Sequence, residues 1–130
     1  MERFSFKWLA AIATLGLLSV VALAQSTGPA AQISLGATPT IASPGSTVTV
    51  FGSITNTSSR SEKVTINYDV VGPCNYRDAY SLEVSLKRGE TRTLSTSQTA
   101  PACAGDYVIT ATATSGNAVL DVKSVTVTVQ

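Results

Sequence analysis

The chain has 130 residues, the size of one domain. Hydrophobic residues make up 44% and charged residues 13%, and that charged share is about half the usual one for a soluble domain. There is no histidine and the net charge is +1. This excludes a Ser-His-Asp or Cys-His catalytic pair, a cupredoxin-like copper site, the usual zinc enzyme site and an electrostatic footprint for nucleic acid.

Arg3 and Lys7 precede an uncharged run, Trp8 to Ala24, that ends Ala22-Leu23-Ala24 before Gln25. A basic start, an apolar stretch and small residues at −3 and −1 are the three parts of a secretory signal peptide. The reading is a signal peptide over 1–24, cleavage after Ala24 and an exported chain, periplasmic or secreted. The alternative is an uncleaved N-terminal anchor, but the apolar run of 17 residues is at the bottom of the membrane-spanning range and the Ala-x-Ala site is well formed, so cleavage is expected, with no stable membrane insertion after it. No cysteine follows the run, so a lipoprotein anchor is not indicated. Cleavage removes Met1 and Trp8 and leaves seven cations against seven anions.

Residues 25–31 read as a flexible lead-in. Beyond them the dominant period is two. Val64, Ile66, Tyr68 and Val70 alternate with Thr65, Asn67 and Asp69, and similar runs occur at 47–50, 82–86 and 107–113. This is the pattern of half-buried antiparallel strands. In the last such run, Leu120 and Val122 are out of phase with Val125, Val127 and Val129. A bulge at Lys123 and Ser124 would turn both sets to the core. Turn residues recur at 43–45, 56–59, 72–73, 87–90, 101–105 and 115–117. Strands are expected at about 32–36, 46–56, 63–71, 80–87, 91–99, 106–114 and 118–130. Seven short antiparallel strands imply an all-β, immunoglobulin-like sandwich over 32–130, with a small barrel as the alternative.

Ser43-Pro44-Gly45-Ser46-Thr47-Val48-Thr49-Val50, followed by Ile54-Thr55-Asn56-Thr57-Ser58, resembles the opening of bacterial immunoglobulin-like modules of the CARDB and fibronectin-III-like types. Ala104-Gly105-Asp106-Tyr107-Val108-Ile109 is similar to their G-x-Y-x-V stretch. The resemblance implies that Tyr107 is the structural corner tyrosine, its hydroxyl bonded to nearby backbone. Two departures stand out. Ser58 replaces a frequent Gly, and Ile109 sits where antibody domains carry their second cysteine.

Cys74 follows the third predicted strand and Cys103 precedes the sixth. In such a sandwich these two strands are antiparallel neighbours, so the thiols are expected to meet as a disulfide. Export places them where disulfides persist. Two thiols without histidine make a poor zinc site, and no C-x-x-C is present.

Little is available for catalysis. The carboxylates are scattered, no EF-hand loop or glycine-rich phosphate cradle occurs, and Ser and Thr sit on strand faces. No enzyme activity, cofactor or metal is expected. The best binding candidate is the loop 74–80, with Asn75, Tyr76, Arg77 and Tyr80, because Tyr and Arg are enriched at recognition surfaces and loops on a rigid sandwich commonly carry function. The plainer alternative has Tyr80 capping the core, with Arg77 and Asp78 solvated. Lys87 to Arg92 reads as a solvated turn, Asn56-Thr57-Ser58 as an N-glycosylation pattern and Phe51 as an isolated exposed aromatic. The expectation is an exported, non-catalytic module with a structural, adhesion or binding role. Its partner would be a protein, a surface glycan or its own copies through edge strands, with the oligomeric state open. The alternatives are a small exported protease inhibitor, whose usual N-P-T-T-G and R-P-[WF] signatures are missing, and a strand-donating assembly subunit.

Overall fold

The computed structural model describes residues 28–130. The signal peptide, its cleavage site at Ala22, Ala24 and Gln25, and the start of the lead-in lie outside the described residues. Eight strands follow: β1 Ala31–Thr38, β2 Ile41–Ala42, β3 Thr47–Asn56, β4 Glu62–Gly72, β5 Tyr76–Leu86, β6 Thr91–Thr99, β7 Gly105–Ser115 and β8 Ala118–Val129. They form two sheets, ordered β1-β3-β6 and β2-β8-β7-β4-β5. All neighbours are antiparallel except β2, which runs parallel to β8. This is the expected all-β immunoglobulin-like sandwich, with one strand more than expected. The extra strand is β2, which forms where the chain turns at the cis Thr38–Pro39 bond and moves from one sheet to the other.

β1 starts earlier than expected, at Ala31, which pairs with Asn56. Ala31 and Ile33 are buried, and the Thr57 N–H donates to the Ala30 carbonyl at 3.0 Å. Two apolar positions in phase with the core are enough to order the end of the lead-in.

Alternation builds the interior. One apolar cluster joins Ile33, Ile54, Val64, Ile66, Val84, Leu86, Ala111 and Ala113; a second joins Val48, Val50, Tyr107, Ile109, Val127 and Val129. Ala111 and Ala113 on the central strand β7 are fully covered. Their small side chains leave room for the isoleucines of β3 and β4. The outward faces carry many hydroxyls, several paired across strands: Ser34 with Ser53 at 2.7 Å, Thr49 with Ser97 at 3.2 Å, Thr55 with Thr91 at 2.7 Å and Thr110 with Ser124 at 3.0 Å. Phe51 interrupts this surface, half-exposed, with its ring lying over Gly36.

The bulge in β8 is not at Lys123 and Ser124, which pair in regular register with Ala111 and Thr110. It falls earlier: Thr114 opposes Val119 and Ala113 opposes Asp121, so Leu120 is the extra residue. Leu120 packs on the core, while Val122 remains 48% exposed on the outer face. The physical reason lies in Asp121. Its carboxylate accepts the Ile33 backbone N–H of β1 at 2.8 Å and pairs with Lys123 at 3.1 Å. The phase of β8 is set by satisfying the edge of β1, not by burying every valine.

Asn56 closes β3 and is fully buried. Its amide donates to the carbonyls of Arg60, Leu86 and Lys87 at 2.9, 3.1 and 3.1 Å. Its Oδ1 accepts from the Ser58 backbone N–H at 2.9 Å and the Ser58 hydroxyl at 2.7 Å. The glycosylation pattern at Asn56 is therefore inaccessible in the folded chain, and Ser58 replaces the family's glycine with a hydroxyl that the buried network uses.

Candidate functional site

The 74–80 stretch is not a loop. β4 and β5 are joined by Pro73, Cys74 and Asn75 alone, and Gly72 already pairs with Tyr76. The Tyr76 N–H donates to the Pro73 carbonyl at 3.2 Å. Cys74 and Asn75 both have φ of 59°, a turn with two left-handed residues that matches the twist of the strands it joins. Asn tolerates this conformation well, so Asn75 has a turn-forming role.

The remaining candidates lie on β5, where alternation separates them. Tyr76 points inward, edge-on to Tyr107 with ring centroids 5.4 Å apart. Arg77 points outward and reaches Asp69 at 3.8 Å, with both side chains largely exposed. Tyr80 points inward again, at a position considered below.

Cys74 and Cys103 are joined in a disulfide with Cα atoms 6.4 Å apart. The Tyr107 hydroxyl donates to the Cys103 carbonyl at 2.7 Å. Cys103 is thus tied to β4–β5 through its sulfur and to β7 through its carbonyl. Gly72 completes this corner, because a Cβ there would collide with the buried Tyr107 ring. Tyr107→Phe is expected to cost about 1–2 kcal/mol through the unpaired Cys103 carbonyl. Denaturant unfolding with an unchanged midpoint would show that the bond contributes nothing.

A departure from a filled sandwich lies between β5 and β6. Inward positions on β5 include Asp78, Tyr80 and Leu82; those on β6 include Leu94, Thr96 and Gln98. Four of these six are polar where a sandwich interior calls for apolar side chains. The chain crosses between sheets at the turn Lys87–Glu90, where Glu90 accepts the Lys87 N–H at 2.8 Å. That bond, with Arg92 beside it, holds the Glu90 carboxyl below its ordinary pKa. Near this turn the sheets meet. Arg92 donates to the Ser85 carbonyl at 3.2 Å, and Val84 and Leu86 are buried. Further from it β5 and β6 diverge around a cleft of about 390 Å³, within the range of ligand sites.

The cleft is lined at its base by Val50, Tyr68, Val70 and Ile109 and along its sides by Asp78, Tyr80, Leu82, Leu94, Thr96 and Gln98. Tyr80 is 60% exposed and stacks on Tyr68 with centroids 6.0 Å apart and planes 29° apart. Burial, with Tyr80 adding to it, pushes the Tyr68 hydroxyl above its ordinary pKa, so it stays a neutral hydroxyl. Of the four candidates from sequence, only Tyr80 belongs to the cleft. Asp78, Tyr68, Thr96 and Gln98 were missed as site residues. The signal for them was β6 itself, TRTLSTSQT, with a single apolar residue in nine. Among the described residues no three His, Cys, Asp or Glu side chains come together to hold a metal ion.

No family model matches the sequence, and no curated protein matches it. A solved structure does: the CARDB domain of a Pyrococcus furiosus protein, determined in complex with di-metal ions. It superposes with a TM-score of 0.65 over 78% of this chain and 89% of that one, at 17% identity. The fold is that of a CARDB domain. This chain is also similar in fold to parts of much longer chains. One is a β-glucosidase from Erythrobacter marinus, with a TM-score of 0.63 at 13% identity, covering 78% of this chain and 16% of that one. Another is an alkylpurine DNA glycosylase from Pseudomonas fluorescens, with a TM-score of 0.63 at 16% identity, covering 79% of this chain and 31% of that one.

Proposed function

We propose that the protein is an exported, non-catalytic CARDB-like module that recognises a partner through the cleft between β5 and β6. The observation that carries this is the set of polar residues Asp78, Tyr80, Thr96 and Gln98 at inward positions over an apolar floor. Polar groups at inward-facing positions leave the two sheets unpacked there, and such departures from the local pattern cluster at functional sites. The disulfide supports export. So does the Ala22-Leu23-Ala24 pattern at the end of an uncharged apolar run.

The test uses the full chain produced in an exporting host, so that the disulfide forms. Material retained by the wild-type protein from the medium and cell surface is compared with that retained by Asp78→Ala/Tyr80→Ala. Both substituted side chains are exposed, so stability is expected to remain within about 1 kcal/mol of wild type. The expected result is a component held by the wild type and lost by the variant. Identical retention by both would overturn the assignment to this cleft.

A further inference from the structure

We propose that the occupant of the cleft is an extended peptide segment that adds as a fourth strand to the short sheet, beside β6, and carries a lysine or arginine next to Asp78. This rests on the cleft being the binding site, and it names the occupant's chemistry.

The first observation is a strand deficit. β1 packs across the interior against β8, so in order β3 lies over β7 and β6 over β4. β5 is left without an opposing strand along its first half. The space beside β6 and above β5 is a vacant strand position in the short sheet, and the cleft coincides with it.

The second observation is the edge of β6. The Asn56 N–H bonds to the Glu90 carbonyl, and the Ala100 N–H bonds to the Ser46 carbonyl. Strand alternation carries this through β6, so its even-numbered residues direct their backbone groups to β3. Thr93, Ser95 and Ser97 therefore direct theirs to the free edge. Other edges are blunted. Asp121 caps the Ile33 N–H of β1, β2 is two residues long, and the exposed start of β5 carries Arg77 and Asp78. Along its open stretch β6 has no charge, no proline and no bulge, the usual devices against strand addition.

The third observation selects the occupant. A strand added here turns alternate side chains down onto Tyr68, Tyr80, Leu82 and Leu94, which suits apolar groups. Asp78 is the one charged residue lining the cleft, so the occupant gains from a base at that level. A second copy fits poorly. Its own β6 in this position would drive its long sheet into β5.

The test starts from a library of random linear dodecapeptides displayed on phage and selected on the full chain. The expected result is enrichment of sequences with apolar residues at every second position and a lysine or arginine among them. A synthetic copy of one enriched peptide should slow hydrogen exchange at the Ser95 and Ser97 amides. Its affinity should fall at least about tenfold for Ser95→Pro and for Ser97→Pro, which remove edge donors but no bond to β3. Asp78→Asn should weaken the base-bearing peptides and leave base-free ones unchanged. The same peptide N-methylated at alternate residues should also lose binding, a control that does not depend on the proline variants folding. The strand proposal is overturned if no peptide is enriched, or if enriched peptides bind the folded proline variants as well as wild type. It is also overturned if the chain closes the cleft by dimerising. A neutral saccharide from a glycan array, held in a manner sensitive to Tyr80→Ala and not to Ser95→Pro, would overturn the strand while leaving the cleft as the binding site. If neither peptides nor glycans depend on Tyr80 or Asp78, the cleft assignment falls with it.

Discussion

Replacing Cys74 and Cys103 together with alanine is expected to lower stability by about 3–4 kcal/mol and the thermal midpoint by roughly 15–25 °C. The cross-link closes a separation of 29 residues, and most of its effect is a restriction of the unfolded chain. The native state adds a second contribution. Cys74 has φ of 59°, a conformation that costs a non-glycine residue free energy unless its surroundings impose it. Without the sulfur link, the segment before β7 keeps the Tyr107 hydroxyl on the Cys103 carbonyl, and the Pro73–Asn75 turn keeps the Tyr76 N–H on the Pro73 carbonyl, but nothing covalent joins the two. Differential scanning calorimetry of the double variant beside the oxidised wild type measures the shift. A fall of less than about 5 °C would mean that the cross-link contributes little.

Asn56→Ala is expected to cost about 3–5 kcal/mol, because it removes all the hydrogen bonds of a fully buried amide side chain. The carbonyls of Arg60, Leu86 and Lys87 each lose one donor and the Ser58 N–H loses its acceptor, while the Ser58 hydroxyl still reaches the Arg60 carbonyl and the Glu90 N–H the Lys87 carbonyl. These groups belong to the turn after β3 and the turn after β5, so one side chain holds together two connections distant in sequence. Asn56→Asp is the sharper variant. It keeps an acceptor for Ser58 but turns a second carboxylate oxygen toward three carbonyl oxygens, and it is expected to be less stable than Asn56→Ala. Urea unfolding of both variants tests this; a cost below about 1 kcal/mol for alanine, or an aspartate variant as stable as wild type, would refute it.

Much of the fold was legible in the residues. Val64, Ile66, Tyr68 and Val70 declared a strand through period two, and Pro44-Gly45 and Ser115-Gly116-Asn117 marked reversals. The pairing of Cys74 with Cys103 followed from placing two strands side by side. Less of the site was legible. Tyr80 was picked out, but as part of a loop with Asn75, Tyr76 and Arg77. The two-residue left-handed turn at Cys74 and Asn75 shortened that loop and put the others on a strand. Alternation then sent Tyr76 to the core and Arg77 to the outside. Asp78 is exposed, as expected, but a lone carboxylate between Arg77 and Ala79 carries no sign that it lines a cleft. Thr96 and Gln98 looked like ordinary strand residues for the same reason.

The amino-acid sequence by itself determined the strand content, the turns, the scarcity of charge and the interleaving of hydroxyl and apolar faces. These are local properties, set by side-chain type and a period of two. Only the tertiary structure decided the register and the open cleft. The bulge moved to Leu120 because Asp121 must meet an N–H on β1, 88 positions away in the chain. The cleft exists because three strands face a longer sheet, so that β5 has no strand across from it. Neither the partner of Asp121 nor that strand deficit is written in any one segment; both are set by which strands come to lie together.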